Sequence, residues 1–188
     1  TSFKSALSQA VTDEIIPKSP ADDTNILISG RQASANRVVI PDMAQVQRLT
    51  ATIDALMRDP NRQIRDAWAR YGVFFYMMLY TGLRPSEMRG LAWSCIDWEK
   101  QRVRVEQRAD ADGLIGPLKS SAAYRTVSLA SKVVALLKDW KAICPESPHD
   151  LVFPNYRGNV ESLSNITNRG WYVLCRKAGL TTVGDDGK

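Results

Sequence analysis

The sequence predicts a mainly α-helical chain with a small antiparallel sheet of three β-strands, which is an α+β class. Over most of the chain, apolar residues recur every three or four positions, as they do on one face of a helix. Between residues 102 and 107 the period changes to two, and valines alternate with polar side chains, as in a strand with one buried face. The 188 residues, 44% of them hydrophobic, are enough for one full domain and part of another.

Proline, aspartate and glycine mark the ends of the predicted helices. Pro17 ends the first helix, Asp42 suits the N-cap of the second, and Gly179 suits the C-terminus of the last. The third helix has a broad apolar face, which indicates that it lies in the core. The predicted helices cover residues 3–16, 42–57, 64–80, 85–92, 131–143 and about 162–178.

The predicted sheet follows the fourth helix. Residues 93–98 are expected to form a connection whose tryptophans fill the core. A polar turn at residues 110–113, Asp-Ala-Asp-Gly, separates the first strand from the second. The three strands are expected at residues 102–107, 114–118 and 124–129.

The most informative stretch is the corner between the third and fourth helices, residues 80–91. Gly82 can adopt the left-handed conformation that ends a helix, and Pro85 suits the first turn of the next helix. Arg84 is therefore presented at the corner, where a guanidinium beside free backbone N–H groups can hold a phosphate. Glu87 lies one turn further on and could orient Arg84. The alternative is an ordinary helical corner whose arginine binds carbonyls or pairs with Glu87.

Residues 81–91, TGLRPSEMRGL, resemble the first arginine box of the tyrosine recombinases, which are also called the phage integrase family. A lone Gly-Leu-Arg would mean little. The longer match, preceded by an aromatic-rich helix and followed by Trp93 and Asp97, is fairly specific. The resemblance implies a catalytic domain of this family, in which Arg84 binds the scissile phosphate and Glu87 supports it.

A second stretch, residues 117–129, resembles the family's K-T-x-x-S-x-R-x-V-P-L β-hairpin. Lys119 and Arg125 occupy the lysine and arginine positions, and Ser128 stands where proline is usual. An ammonium at a hairpin tip can enter a phosphate site and give a proton to a leaving alkoxide. For the hairpin taken alone, a solvated lysine is the simpler interpretation, but its position after the arginine box favours the family.

The resemblance implies an enzyme that cuts and rejoins DNA through a 3′-phosphotyrosine intermediate, without metal, ATP or another cofactor. Arg84 would hold a non-bridging phosphate oxygen, Lys119 would protonate the 5′-oxygen leaving group, and Glu87 would support the site. Double-stranded DNA is the expected partner, and the full-length protein is expected to form a tetramer on it. Four further arginines are expected to contact DNA: Arg31, Arg37, Arg89 and Arg125.

The same resemblance implies three parts along the chain and an incomplete catalytic domain. Residues 1–21 would be the last helix of an otherwise absent core-binding domain, residues 22–37 a linker, and residues 38–188 the N-terminal part of the catalytic domain. LVFP at residues 151–154 and AGL at residues 178–180 match segments that precede the family's His-x-x-Arg box and nucleophilic tyrosine. Neither of these is found in the chain, so the fragment is expected to be inactive and monomeric.

The charge and cysteine content favour an intracellular protein with an anionic partner. The formal net charge is +5 and the pI is about 9.2. The three cysteines are scattered, with no spacing typical of a metal site or a disulfide framework. No apolar run is long enough to cross a membrane. Together with these features, the family resemblance implies a cytoplasmic, nucleoid-associated protein of bacterial or phage origin.

Two other classes of function remain open. A DNA-binding regulator with an integrase-like fold and no strand exchange would share both motifs and differ in the residues that follow them. A helical interaction module, in which Arg84 and Lys119 are incidental, would bind no DNA at low salt and would keep those two side chains apart.

Overall fold

The computed structural model describes residues 3–21 and 40–180 and contains two compact units, Thr1–Ile40 and Pro41–Lys188. In the first unit, helix α1 spans Phe3–Thr12. The predicted helix over residues 3–16 is therefore too long, because Glu14 takes a left-handed conformation with φ of 58° before Pro17 is reached. The predicted linker at residues 22–37 lies outside the described residues.

The helices of the second unit begin and end at residues that satisfy free backbone groups. At the start of α2 the Asp42 carboxylate accepts a hydrogen bond from the Gln45 N–H at 2.7 Å, and the Gln45 side chain accepts one from the Asp42 N–H at 2.9 Å. Asn61 caps α3 through the Gln63 N–H. The helices are α2 Met43–Met57, α3 Arg62–Thr81, the single turn α4 Pro85–Arg89, and α5 Ser131–Lys141.

The core of this unit is built around α3. One face of α3 is packed by α2 and another by α5, and the ring of Phe74 meets that of Phe153 edge to face, with centroids 5.2 Å apart. Phe153 belongs to a buried segment, residues 151–154, where the Val152 N–H donates to the Leu91 carbonyl at 2.8 Å. That contact attaches the segment to the chain just after α4, the helix that Arg84 precedes.

The pairing of the β-strands differs from the predicted pairing. The three-stranded antiparallel sheet has the order β1 Ile96–Asp97, β2 Arg102–Val105 and β5 Arg125–Ser128. The predicted strand at residues 114–118 belongs instead to a separate two-stranded sheet, in which β4 Ile115–Pro117 pairs with β3 Gln107–Ala109. Residues 93–98, predicted as a connection, supply β1, which pairs with β2 through Ile96 and Val103.

The last helical segment contains an irregularity that the sequence did not indicate. It consists of α6 Leu163–Asn165, a π-helical stretch Ile166–Trp171, and α7 Tyr172–Lys177. The π-helical stretch places Gly170 so close to α3 that a Cβ there would lie 2.9 Å from the Phe75 ring. The predicted cap is confirmed, since Gly179 has φ of 65°.

None of the helices within residues 3–21 and 40–180 has the length and apolar character that crossing a membrane requires.

Candidate functional site

The corner between α3 and α4 anchors the Arg84 backbone beside buried neighbours while leaving its side chain in solvent. Gly82 ends α3 with φ of 64°, a conformation that an L side chain would adopt only with strain. Leu83 and Met88, on either side of Arg84, are buried. The Arg84 side chain itself is 73% exposed. A fixed backbone with an exposed guanidinium is suited to binding an anion from solution.

Glu87 lies beneath this corner and is only 2% exposed. Its Oε2 accepts a hydrogen bond from the Arg84 backbone N–H at 2.9 Å. Its Oε1 lies 3.6 Å from Arg84 Nη1, which is an ion pair without a hydrogen bond. The predicted orientation of Arg84 by Glu87 therefore acts mainly through the backbone.

Arg125, on β5, is the closest partner of Glu87. Its Nη2 donates to Glu87 Oε2 at 2.7 Å and its Nη1 donates to Glu87 Oε1 at 3.0 Å, which is a two-bond ion pair. The same Nη1 donates to the Ala123 carbonyl at 3.1 Å. Arg125 was predicted to contact DNA; the structure shows its guanidinium engaged with protein, with the side chain 33% exposed.

The two arginines determine the ionisation of Glu87. Burial alone would raise the pKa of this carboxyl, but the hydrogen bonds from Arg125 and from the Arg84 N–H, with the charges of both guanidiniums, hold the pKa below its ordinary value near 4.5. The hydrogen bond to Glu87 in turn raises the pKa of Arg125. Two guanidiniums therefore surround one carboxylate, and the cluster keeps one positive charge.

The remaining positive charge faces a cavity of about 360 Å³. Among the described residues, the Arg84 guanidinium donates no hydrogen bond to a protein acceptor, so its N–H groups are available to a ligand. Within residues 3–21 and 40–180, no three His, Cys, Asp or Glu side chains lie close enough to hold a metal ion. The cavity is lined by Gly82, Arg84, Ser120, Ala122, Ala123 and Arg125.

Lys119 lies beside this cavity on an excursion from the β-ribbon. Val105 of β2 pairs with Arg125 of β5, and two residues later Gln107 of β3 pairs with Pro117 of β4. Glu106 alone therefore faces the seven residues 118–124. The predicted hairpin, in which the strands on either side of Lys119 pair with each other, is wrong. Instead, β4 pairs with β3 and β5 pairs with β2, and β2 and β3 follow each other in the chain. Lys119 is exposed, and the next residue lines the cavity.

The other arginines predicted to contact DNA have different surroundings. Arg89 is 3% exposed, and its Nε and Nη1 donate to the carbonyls of Glu161 at 2.6 Å and Asp110 at 2.9 Å. Burial lowers the pKa of Arg89, although the charges of Asp110 and Glu161 oppose this effect. Its geometry gives no support to a DNA contact, because the guanidinium joins three segments of the interior. Arg31 and Arg37 lie outside the described residues.

The pairing of Glu87 with Arg125 was missed from the sequence, although one signal was present. Alternate residues of β5 share a face, so Arg125 lies on the same side as the half-buried Val127. An arginine on an inward face requires an acidic partner, and Glu87 was the acidic residue already assigned to the site. The separation of 38 positions hides this pairing from any local pattern.

Comparisons with known proteins identify the family of this chain. The sequence profile of the phage integrase family matches residues 42–183. Prophage integrase IntR of Escherichia coli (strain K12) is 33% identical over 86 residues, which are 46% of this chain and 19% of IntR. A tyrosine recombinase XerC-like protein of Caldanaerobacter subterraneus subsp. tengcongensis is 25% identical over 120 residues, which are 56% of this chain and 30% of that protein.

Solved structures show the same fold. The Tn1549 transposon integrase in complex with transposon right end DNA superposes with a TM-score of 0.68 and 17% identity, over 95% of this chain and 56% of that one. XerA recombinase superposes with a TM-score of 0.56 and 21% identity, over 79% of this chain and 45% of that one. These superpositions confirm the predicted α+β class. In sequence, the chain matches less than a third of the length of either curated relative. The chain belongs to the phage integrase family of tyrosine recombinases.

Proposed function

We propose that this chain is part of a site-specific DNA recombinase, an integrase that cuts and rejoins DNA without metal or ATP. A tyrosine hydroxyl, supplied by residues outside this chain, gives up its proton and attacks a DNA phosphorus. A 3′-phosphotyrosyl bond forms while the bond from phosphorus to the 5′-oxygen breaks. The bond energy is retained for rejoining, and residues 41–180 supply the phosphate-binding half of the site.

The observation that carries this proposal is the exposed Arg84 guanidinium on a buried support. Its backbone is anchored at the corner before a phosphate arrives, and the neighbouring carboxylate is already paired with Arg125. Arg84 is therefore free to hold a non-bridging oxygen and to stabilise the charge that develops in the transition state. A buried arginine that is already bonded to two backbone carbonyls, such as Arg89, could not do this.

Lys119 is assigned the role of general acid. It lies one residue from the cavity wall, on an exposed segment that can bring its ammonium to a bound phosphate. A lysine ammonium can pass its proton to the departing 5′-oxygen, which the guanidinium of Arg84 cannot do near neutral pH. Arg84 and Lys119 thus divide charge stabilisation and proton transfer between them.

Double-stranded DNA is the proposed partner, and the full-length protein is proposed to act as a tetramer on it in the bacterial cytoplasm. The net charge of +5 favours a polyanion. The Tn1549 integrase, which shares the fold, is described in complex with DNA. Contacts of Arg31 and Arg37 with the DNA backbone remain part of the proposal. The proposal also includes the domain boundaries at residues 21 and 37.

Covalent capture tests the proposed activity. The full-length protein is incubated with a duplex nicked near the cleavage site, so that the released 5′-hydroxyl strand diffuses away and rejoining is prevented. We expect a covalent DNA–protein adduct linked through a 3′-phosphotyrosine, and no adduct with this chain alone. Tight DNA binding without any adduct from the full-length protein would contradict the enzyme and favour the DNA-binding regulator.

A further inference from the structure

The segment 118–124 enters the core at Leu118, its first residue, and Ala123 packs partly against the core near its other end. It interrupts an otherwise continuous β-ribbon, and most of its residues are exposed. A short 3₁₀ turn, Ser121–Ala123, is closed by hydrogen bonds from the Ala123 N–H to the Ser120 carbonyl at 3.1 Å and from the Tyr124 N–H to the Ser121 carbonyl at 3.2 Å. A further contact fixes the part of this segment that follows Lys119 relative to Arg84.

Arg125 supplies that connection. Its Nη1 bonds both the Ala123 carbonyl, inside the segment, and Glu87 Oε1, beneath the corner. Its Nη2 bonds Glu87 Oε2, which also accepts from the Arg84 N–H. A continuous path of hydrogen bonds therefore runs from the backbone of Arg84, through Glu87 and Arg125, into the segment that carries Lys119.

We propose that Arg125 is a positioning residue, which holds the Lys119 segment at a fixed place relative to the phosphate site of Arg84. This inference rests on the recombinase function proposed above. It replaces the predicted role of Arg125 as a DNA contact, because the three hydrogen bonds to protein use three of its five N–H donors.

The geometry requires an arginine at this position. Two parallel hydrogen bonds to the Glu87 carboxylate need the planar fork of a guanidinium, and the third bond needs a further N–H on the same nitrogen. A lysine would keep the charge but could not make all three bonds in this arrangement. Arg84 should keep its place when Arg125 is changed, because Leu83 and Met88 hold the corner from the core.

Hydrogen exchange tests the connection without any need for DNA cleavage. In this 188-residue chain, the amides of Ala123 and Tyr124 report the 3₁₀ turn. We expect Arg125→Gln and Arg125→Lys each to speed exchange of these two amides by about tenfold or more, with core amides of α3 unchanged. The control, Arg102→Gln, changes an exposed arginine on the neighbouring strand β2 and should leave both amides unaffected. Unaltered exchange in the Arg125 variants would overturn the proposal.

Cleavage of modified DNA tests the consequence for proton transfer in the full-length protein. Replacing the bridging 5′-oxygen with sulfur gives a thiolate leaving group, which departs without an acid because thiols have pKa values near 8.5. We expect Arg125→Lys to cut normal DNA roughly a hundredfold more slowly and to recover most of this loss on the sulfur substrate, as Lys119→Ala should. Arg84→Ala should not recover.

The possible outcomes separate the two proposals. Two results would overturn the positioning role: an equal loss of cleavage rate on both substrates, or weaker DNA binding with a smaller salt dependence. Either result would mean that Arg125 is a DNA contact or a purely structural residue. If wild-type protein cuts neither substrate, the proposed function fails, while hydrogen exchange still decides whether Arg125 fixes the segment. Should Arg125→Gln unfold the chain, the exchange of Arg125→Lys decides the question alone.

Discussion

Glu87 and Arg125, 38 positions apart in the chain, are joined by two hydrogen bonds of 2.7 and 3.0 Å. The pair ties the corner after α3 to the edge of the β-ribbon, so the two stretches that resemble the family's motifs meet at one carboxylate. Because Glu87 is buried and Arg84 is exposed, the Glu87–Arg125 pair forms the support, and the Arg84 guanidinium, which makes no hydrogen bond to the described residues, faces the cavity.

Glu87→Gln is expected to lower the free energy of unfolding by about 3 kcal/mol at pH 7, because it leaves Arg125 without its carboxylate. The pKa of Glu87 is lower in the folded chain than its ordinary value near 4.5. Its charge therefore stabilises the wild-type fold above that value, and this contribution is lost as the pH falls through the folded pKa. Urea unfolding from pH 7 down to pH 3 measures both effects.

The difference between wild type and Glu87→Gln should shrink as the pH falls below about 4.5. Asp112→Asn, at an exposed turn, is the matched control for removing one negative charge, and it should change stability little. A difference that is constant across this pH range would contradict the assigned pairing.

Arg89→Met is expected to destabilise the fold by roughly 2–4 kcal/mol, because it leaves the carbonyls of Glu161 and Asp110 without their hydrogen bonds. It should not alter the salt dependence of DNA binding in a protein that remains folded, since the side chain is buried. Arg84→Met, at the other end of α4, is the control and should show little loss of stability. A smaller salt dependence caused by Arg89→Met would restore the predicted DNA contact.

Gly90→Ala is expected to destabilise the fold by about 1–3 kcal/mol, because an added Cβ would lie 2.6 Å from the Arg108 carbonyl carbon and 2.7 Å from the Ala109 nitrogen. These are backbone atoms of β3, so relief requires the strand to move. Gly116→Ala on the paired strand β4 has no atom within 4 Å of the new methyl and serves as the control. Thermal unfolding compares the two, and equal midpoints would contradict the packing described here.

Local signals determined how much of the fold could be predicted. Asp42 and Gly82 mark helix ends through their own hydrogen bonds and conformations, so α2 and α3 were predicted within two residues. The strand at residues 114–118 was assigned to the wrong sheet, because alternation shows that a strand exists and does not identify its partner. The seven-residue excursion opposite Glu106 is such a non-local feature.

The candidate site was predicted in part for the same reason. The motif at residues 81–91 identified Arg84 and Glu87, and the family assignment is confirmed. Arg89 belongs to the same motif, yet its burial depends on two carbonyls that are distant in sequence. Net charge and composition do not show whether an arginine is buried or exposed. They also do not show whether it stabilises the site from within the protein or contacts DNA.

The most direct test of the central claim, that Arg84 neutralises the scissile phosphate, combines one substitution with one change in the DNA. Wild type and Arg84→Ala, both as full-length protein, are assayed for covalent adduct on a normal phosphodiester and on a methylphosphonate, which lacks the charged non-bridging oxygen. We predict a loss of at least about a hundredfold for Arg84→Ala on the phosphodiester and little loss on the methylphosphonate. An equal loss on both substrates would contradict the claim.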